Sequence, residues 1–112
     1  MLLSIIIVTY NSSGVLKDCL KFIQNSKNNL EFEVIIVDNN SAGENEQKCL
    51  TAIEQEFKDL NIKLIRLSEN RGFGAANNQG AKIAQGKYLL ILNADTKLLP
   101  DKDALQKIIV FM

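Results

Sequence analysis

Four short runs of apolar residues, separated by stretches with helical spacing, constrain the fold of this chain more than any other feature. The first run, Leu2 to Val8, is rich in β-branched residues and is broken only by Ser4. Near-continuous apolar runs of this length are typical of parallel strands that are covered on both faces. The predicted strands are Leu2–Val8, Glu33–Val37, Ile62–Leu67 and Tyr88–Leu92.

Helical patterns follow the predicted strands. In each of them apolar residues recur at the spacing of one helix face, and Ser12 or Ser13 is placed to cap the first helix. The predicted helices run around Leu16–Ile23, over Leu50–Leu60, from the Gly-rich turn Asn70–Gly74 to about Gly86, and from about Asp101 onward.

Strands that alternate with helices predict an α/β domain with a parallel sheet, because short right-handed crossovers return the chain in that way. The length, 112 residues, is that of one domain. Lys63 and Arg66 interrupt the third strand, which suits the edge of a sheet. Small residues on the third helix allow it to lie close to the sheet, namely Ala75, Ala76, Gly80, Ala81 and Ala84.

The composition excludes several classes of function. Lys plus Arg (13) equals Asp plus Glu (13), so the chain lacks the basic excess that nucleic-acid binding requires. It contains no His, which excludes Ser-His-Asp and Cys-His catalytic arrangements and His-containing zinc sites. Because of the balanced charge, we expect no nucleic acid among the partners of this chain.

Two features bear on the cellular compartment. Cys19 and Cys49 lie within apolar helical patterns, which favours buried free thiols of a reducing compartment over a disulfide. The apolar N-terminal run lacks the basic start and cleavage site of a signal peptide, and it is shorter than the about 20 residues that span a bilayer. We expect a cytoplasmic protein with no transmembrane segment in this chain, either free or at the inner face of the membrane.

Polar side chains follow all four predicted strands, where ligands bind in open parallel sheets. The segments bring together an aromatic ring, two carboxylates and a guanidinium, which can stack a base, accept its N–H groups, contact phosphate and hold a divalent cation. Together they favour a nucleotide site. The segments are Thr9-Tyr10-Asn11, Asp38-Asn39-Asn40-Ser41, Asn70-Arg71-Gly72 and Asn93-Ala94-Asp95-Thr96.

Each of these residues also has a plainer interpretation. Asp38 taken alone is better explained as a turn residue or a helix N-cap. Tyr10 could be a partly exposed aromatic, Arg71 a solvated surface charge, and Asp95 with Thr96 an ordinary turn. The stretch Gly72–Asn77 nearly matches a dinucleotide-binding fingerprint, but it follows the third strand instead of the first and lacks the last glycine.

The set of segments resembles the nucleotide-binding half of family 2 glycosyltransferases, which have the GT-A fold. The resemblance implies a Rossmann-like parallel sheet in the order 3-2-1-4 with helices on both faces. It also implies that residues 1–112 are the nucleotide-sugar-binding part of a GT-A glycosyltransferase domain. The last predicted helix ends without a cap on apolar residues, so we expect a C-terminally truncated domain. The matching stretches are Ser4–Asn11, Val34–Ser41, Asn70–Gly80 and Leu90–Thr96.

The resemblance also implies a role for each strand-end residue. Tyr10 stacks near the base, Asp38 hydrogen-bonds it, Arg71 lies beside it, Asn93 faces the ribose, and Asp95 coordinates Mg²⁺ or Mn²⁺. The predicted nucleotide-binding set is Thr9, Tyr10, Asn11, Asp38, Asn40, Arg71, Asn93 and Asp95.

The metal motif of the family is often Asp-x-Asp, but its first position in this chain is Asn93. This variant of the motif is typical of family members that resemble rhamnosyltransferases. A single carboxylate, Asp95, remains sufficient for Mg²⁺, which commonly takes one or two carboxylates plus substrate phosphates.

The activity that the resemblance implies is inverting transfer of a sugar from a UDP- or dTDP-sugar to the hydroxyl of a glycan or a lipid-linked acceptor, as in cell-surface polysaccharide biosynthesis. The general base of such enzymes lies downstream of the metal motif, so we expect it beyond Met112 and expect no catalytic residue in this chain. The chain alone should bind donor without transferring sugar.

Two other classes of function remain as alternatives. One is a non-catalytic nucleotide-sugar-binding or interaction domain. The other is a receiver-type domain phosphorylated at Asp38, which is disfavoured because Thr9-Tyr10-Asn11 stands where a receiver gathers acidic residues. Continuation of the reading frame beyond Met112 would favour the glycosyltransferase.

Overall fold

A computed structural model describes residues 2–25 and 31–93 of the chain. It contains a four-stranded sheet in the order β3-β2-β1-β4, and all three strand pairs are parallel. This order confirms the predicted one, while the predicted helix from Asp101 lies outside the described residues. The elements are β1 (Leu3–Thr9), α1 (Ser13–Asn25), β2 (Phe32–Asp38), α2 (Glu44–Glu56), β3 (Ile62–Arg66), α3 (Gly72–Ile83) and β4 (Tyr88–Asn93).

Helices cover both faces of the sheet, as predicted. On one face α1 and α2 pack against alternate residues of β1 and β2, and on the other face α3 packs against the residues between them. The first core includes Leu3, Ile5, Ile7, Leu16, Leu20, Ile23, Val34, Ile36, Leu50, Ile53, Phe57 and Leu60. The second is smaller and consists of Ile6, Val8, Ile35, Val37 and Ala76.

The close packing of α3 follows from its small residues. A Cβ atom at Gly80 would lie 2.8 Å from Cγ2 of Ile6 and 3.3 Å from Cγ2 of Val37. Because such distances are below van der Waals contact, only glycine fits here without a shift of the sheet residues. The prediction that this helix lies close to the sheet is confirmed.

Two helix ends differ from their predicted positions. The second predicted helix included Leu60, but α2 ends at Glu56, and Leu60 reaches the core from the following turn. The third was predicted to reach Gly86, but α3 ends at Ile83, because Ala84 is extended. Apolar spacing continues past the last helical turn in both cases, so periodicity alone overextends the helix.

The strand β4 is less covered than its apolar run predicts. Leu90 and Leu92 pack against the larger core, whereas Leu89 is 43% and Ile91 55% exposed. These two lie on the face of α3, which packs over β1 and β2 and does not cover β4 in the described part of the chain. Among the described residues, helices therefore cover both faces of β1 and β2, whereas none of the described helices covers Leu89 and Ile91 of β4.

A buried polar cluster, the amino-end cluster, lies at the opposite end of the sheet from the predicted site. Oε2 of the fully buried Glu33 accepts hydrogen bonds from the Ser4 hydroxyl at 2.6 Å and the Gln85 N–H at 2.7 Å. Its Oε1 lies 2.8 Å from Nζ of Lys63, and the Gly86 N–H donates to the Ser4 Oγ at 2.8 Å. The cluster ties the connection between α3 and β4 to the first two strands.

The charge of Glu33 is stabilised within this cluster. Burial alone would raise the pKa of Glu33, but the hydrogen bonds from Lys63, Ser4 and Gln85 outweigh burial and hold the pKa below its ordinary value. The carboxylate is therefore ionised at neutral pH despite its burial.

The two cysteines form no disulfide. Cys19 is buried as predicted, whereas Cys49 is only half-buried, because it lies at the border of the apolar face of α2. Within residues 2–25 and 31–93, none of the helices is both long enough and apolar enough to cross a bilayer.

Candidate functional site

The carboxyl ends of all four strands lie at one edge of the sheet. Thr9 and Asp38 are cross-strand partners at the ends of β1 and β2, and Asn93 follows Leu92, the β4 partner of Ile7. The Leu67 N–H donates to the Asp38 carbonyl at 2.9 Å, which brings the end of β3 to the same edge. The predicted strand-end loops are therefore neighbours, as the parallel topology requires.

Asp38 is buried, with 1% of its surface exposed, and its carboxylate is largely occupied by this chain. Oδ1 accepts hydrogen bonds from the N–H and the hydroxyl of Ser41, and Oδ2 accepts one from Nε2 of Gln47 at 3.1 Å. These bonds fit the interpretation of Asp38 as a turn residue. Asp38 is not a helix N-cap, because Gly43 occupies that position of α2 with a φ of 94°.

Gln47, one turn into α2, connects Asp38 to the edge strand. Its Nε2 also donates to the Ser41 carbonyl at 2.9 Å, and its Oε1 accepts from Nε of Arg66 at 3.0 Å. Arg66 in turn donates to Oγ1 of Thr51 at 2.8 Å. Sequence reasoning missed Gln47, because α2 carries several polar side chains and only the fold shows which of them faces Asp38.

Asn11 joins the first strand-end loop to the second. Its N–H donates to Oγ of Ser41 and its Oδ1 accepts from the Ala42 N–H, both at 2.8 Å. A φ of 51° at Asn11 turns the backbone into this position, which Asn tolerates better than most residues. Tyr10, beside it, leaves 44% of its surface exposed.

The start of α1 is capped from another helix. The helix begins at Ser13, whose N–H donates to Oε2 of Glu46 at 3.1 Å. The Ser12 hydroxyl instead donates to the Tyr10 carbonyl at 2.8 Å. Ser12 stands at the predicted N-cap position, where its carbonyl accepts from the Leu16 N–H at 2.9 Å. The Ser13 N–H is bound by a carboxylate from α2, which suits the positive end of the helix dipole.

Asn39 holds the second loop against the third. It is 2% exposed; its Nδ2 donates to Oδ1 of Asn70 at 3.0 Å, and its Oδ1 accepts from the Arg71 N–H at 2.9 Å. Oδ1 of Asn70 also accepts from the Gly72 N–H at 2.9 Å. Asn39 and Asn70 were outside the predicted site set, although both stand in the quoted loop sequences.

The remaining predicted residues differ in exposure. The Arg71 side chain is 46% exposed and its Nε lies 3.5 Å from Oε1 of Glu69. Asn40 is exposed with a φ of 68°. Thr9 is 1% exposed, and its hydroxyl oxygen has no hydrogen-bond partner within the part of the chain that is described.

The predicted metal ligand Asp95 lies outside the described residues. Asn93, the other member of the motif, is exposed at the end of β4 and offers one amide oxygen to the strand-end edge. No group of three His, Cys, Asp or Glu side chains suited to a metal occurs among residues 2–25 and 31–93. The described residues therefore fit only a site completed by other oxygen ligands, such as phosphates.

A family model matches almost the whole chain. The model described as Glycosyl transferase family 2 matches residues 4–112. Two curated relatives share 36% and 37% of their residues with this chain over 100 residues, and each match covers 83% of this chain. They are the dolichyl-phosphate beta-glucosyltransferases of Dictyostelium discoideum and Saccharomyces cerevisiae. The matches cover only 30% and 29% of those two proteins, so the chain spans about a third of their length.

Solved structures agree with this relationship. S. aureus TarS 1-349 in complex with UDP-GlcNAc superimposes with a TM-score of 0.82 at 29% identity, covering 99% of this chain and 31% of that one. The mannosyltransferase PcManGT from Pyrobaculum calidifontis, in complex with GDP-Man and Mn²⁺, gives 0.81 at 26% identity, covering 92% and 30%. These two structures hold different bases, which leaves the base preference of this chain open.

Proposed function

The chain belongs to glycosyl transferase family 2, and from this premise we propose that residues 1–112 are the donor-binding part of an inverting glycosyltransferase. The donor we propose is a UDP- or dTDP-sugar, whose sugar passes to an acceptor while the nucleoside diphosphate leaves. The observation that carries the proposal is the convergence of the four strand-end loops at one edge, where Asn11 and Asn39 join neighbouring loops by hydrogen bonds.

The base-binding roles rest on exposure and hydrogen-bonding capacity. The exposed part of the Tyr10 ring is available for stacking. A carboxylate has about four acceptor positions, and the described residues leave one on Oδ2 of Asp38 for an N–H of the base. Arg71 has an exposed guanidinium whose Nε lies 3.5 Å from the exposed Glu69 carboxylate, so it can reach a base or phosphate oxygen. We assign Thr9, Asn11 and Asn40 to the walls of the same site.

We propose that Asp95 holds Mg²⁺ or Mn²⁺, with Asn93 beside it at the end of β4. The exposed amide of Asn93 can hydrogen-bond the ribose, and Asp95 alone suffices for Mg²⁺, which accepts one or two carboxylates together with phosphate oxygens. A divalent cation there would neutralise charge on the departing diphosphate. PcManGT was solved with GDP-Man and Mn²⁺, which supports the use of a divalent metal with the donor.

The acceptor is proposed to be lipid-linked. Two relatives are named for dolichyl phosphate, which favours a polyprenyl acceptor over a free glycan and a site at the cytoplasmic face of a membrane. A phosphate oxygen is already ionised at neutral pH, so an acceptor phosphate would need less help from a general base than a hydroxyl does. For a hydroxyl acceptor, as in cell-surface polysaccharide synthesis, we expect the base outside residues 1–112.

Calorimetric titration of the 112-residue chain with UDP and dTDP, with and without Mn²⁺, tests the proposal. Asp95→Asn should abolish the affinity gained from Mn²⁺ and leave metal-free binding equal or slightly better, because the mutation removes a negative charge near the diphosphate. Turnover should be undetectable in both proteins. Metal-dependent binding that survives in Asp95→Asn would place the metal elsewhere, and sugar transfer by the chain alone would show that the general base lies within it.

The alternative function, a nucleotide-sugar-binding domain without catalysis, predicts the same titrations. An activity assay of the full-length protein distinguishes the two functions. If the protein that contains residues 1–112 binds donor but transfers no sugar to a polyprenyl phosphate or a glycan, the non-catalytic function is favoured.

A further inference from the structure

The side chain of Gln47 has a fixed orientation at Asp38. The Ser41 carbonyl can only accept a hydrogen bond, and it lies 2.9 Å from Nε2 of Gln47. The Arg66 guanidinium can only donate, and its Nε lies 3.0 Å from Oε1. Since neither partner can exchange its role, the amide group must present its NH₂ group to Asp38.

This orientation determines which acceptor positions of Asp38 remain for a ligand. The N–H and hydroxyl of Ser41 occupy Oδ1, and Gln47 occupies one of the two positions on Oδ2. Of about four acceptor positions on a carboxylate, the described residues leave one free, on Oδ2. A ligand can therefore pair one N–H with Asp38 but cannot form the two parallel bonds that need both oxygens.

The bases of common nucleotides differ in this respect. Uracil and thymine present one ring N–H between two carbonyl groups, whereas guanine presents a ring N–H and an amino group side by side. Because Asp38 is only 1% exposed, water could not satisfy the second donor of guanine there. An unpaired donor in a buried position is costly.

We propose that Gln47, held by Arg66, is a positioning residue. Together with Ser41, which occupies Oδ1, it fixes the carboxylate of Asp38 so that a single acceptor position on Oδ2 faces the ligand, and this selects uracil or thymine over guanine. The inference rests on the proposed donor-binding function and adds the residue that sets its base preference.

Calorimetric titrations of the 112-residue chain with UDP, GDP and 3-methyl-UDP test this inference. The methyl group of 3-methyl-UDP removes the ring N–H and leaves the rest of the nucleotide unchanged. The wild-type chain should bind UDP roughly tenfold more tightly than either of the other two, the effect of one hydrogen bond to a charged group.

Gln47→Met keeps the side-chain length and removes the amide. Without Gln47 the carboxylate is held through Oδ1 alone and no longer presents its free position to the base in a fixed direction. Both ratios should then fall to less than about threefold, measured at a temperature where the variant is folded. Arg66→Met should give an intermediate loss, because the Gln47 amide stays but is no longer held. Gln55→Met, at an exposed position of the same helix, is the matched control and should keep the wild-type ratios.

The outcomes separate the inference from the proposed function. If Gln47→Met retains both ratios or binds UDP more tightly, Gln47 does not position Asp38 and the inference is wrong, while donor binding stands. If the wild-type chain binds none of the three nucleotides, the proposed function fails and the inference fails with it.

Discussion

The strand β2 carries a buried carboxylate at each end, and the two are held in different ways. At the amino end, Glu33 is paired with the Lys63 ammonium and bonded to Ser4 and Gln85. At the carboxyl end, Asp38 receives only uncharged donors from Ser41 and Gln47 in the described part of the chain.

The different partners of Glu33 and Asp38 indicate that one end of the sheet contributes to stability and the other to ligand binding. The charge of Glu33 is neutralised and its oxygens serve the backbone of the α3 to β4 connection. Asp38 contacts no cation in the described part of the chain, and the guanidinium of Arg66, its cross-strand partner on β3, donates to Gln47 instead. We therefore expect changes at the amino end to affect folding and changes at the carboxyl end to affect ligand affinity.

The largest effect is expected for Gly86→Ala at the amino end. A Cβ atom there would lie 2.6 Å from the Leu3 carbonyl carbon and the Ser4 nitrogen, and backbone atoms of a central strand cannot move aside cheaply. The free energy of unfolding, measured in urea, should fall by at least about 3 kcal/mol. Gly14→Ala is the control, since nothing lies within 4 Å of its added Cβ, and it should leave stability unchanged or slightly raised.

Next in size is Glu33→Ala, which leaves Ser4 and Gln85 without their acceptor in a buried position. We expect a loss of about 2 kcal/mol in unfolding free energy and no change in UDP affinity. Glu31→Ala, two residues earlier and exposed, should change neither quantity. A weaker affinity for UDP in Glu33→Ala at a temperature where it is folded would contradict the separation of the two ends.

At the carboxyl end, Asp38→Ala should weaken UDP binding about tenfold, or about 1.4 kcal/mol, with or without metal. The reason is that its proposed bond is to the base and not to the diphosphate. Calorimetry measures the change, and Asp18→Ala on the exposed side of α1 serves as control. Equal affinities of wild type and Asp38→Ala would remove Asp38 from the site.

The smallest effect concerns pH. Because the pKa of Glu33 is lower in the folded chain than its ordinary value of 4.5, its charge stabilises the fold above that value, and this contribution disappears as pH falls through the folded pKa. The difference in unfolding free energy between wild type and Glu33→Gln should therefore shrink on acidification below that value. A difference that is independent of pH would show that the charge of Glu33 does not matter.

Local patterns in the sequence were sufficient for the elements and their order. The buried β-branched runs around Ile6 and Ile35 predicted the central strands, because a strand covered on both faces has an apolar residue at nearly every position. The small residues around Gly80 predicted the close approach of α3. The predicted parallel order, together with the family resemblance, already placed Asp38 and Asn93 at the same edge of the sheet.

Other features depended on contacts between distant parts of the chain. In the sequence, Glu33 is an ordinary polar residue at the start of a predicted strand, and only the pairing of β2 with β1 and β3 brings Ser4 and Lys63 to it. Gln47 lies nine residues from Asp38 along the chain, on a helix whose rotation about its axis is set by Leu50 and Ile53 in the core. The sequence by itself determined which strand ends carry polar groups, since each apolar run and the polar residues that follow it are adjacent in the sequence. Only the tertiary structure decided which donors occupy each carboxylate, because hydrogen-bond partners depend on packing across elements.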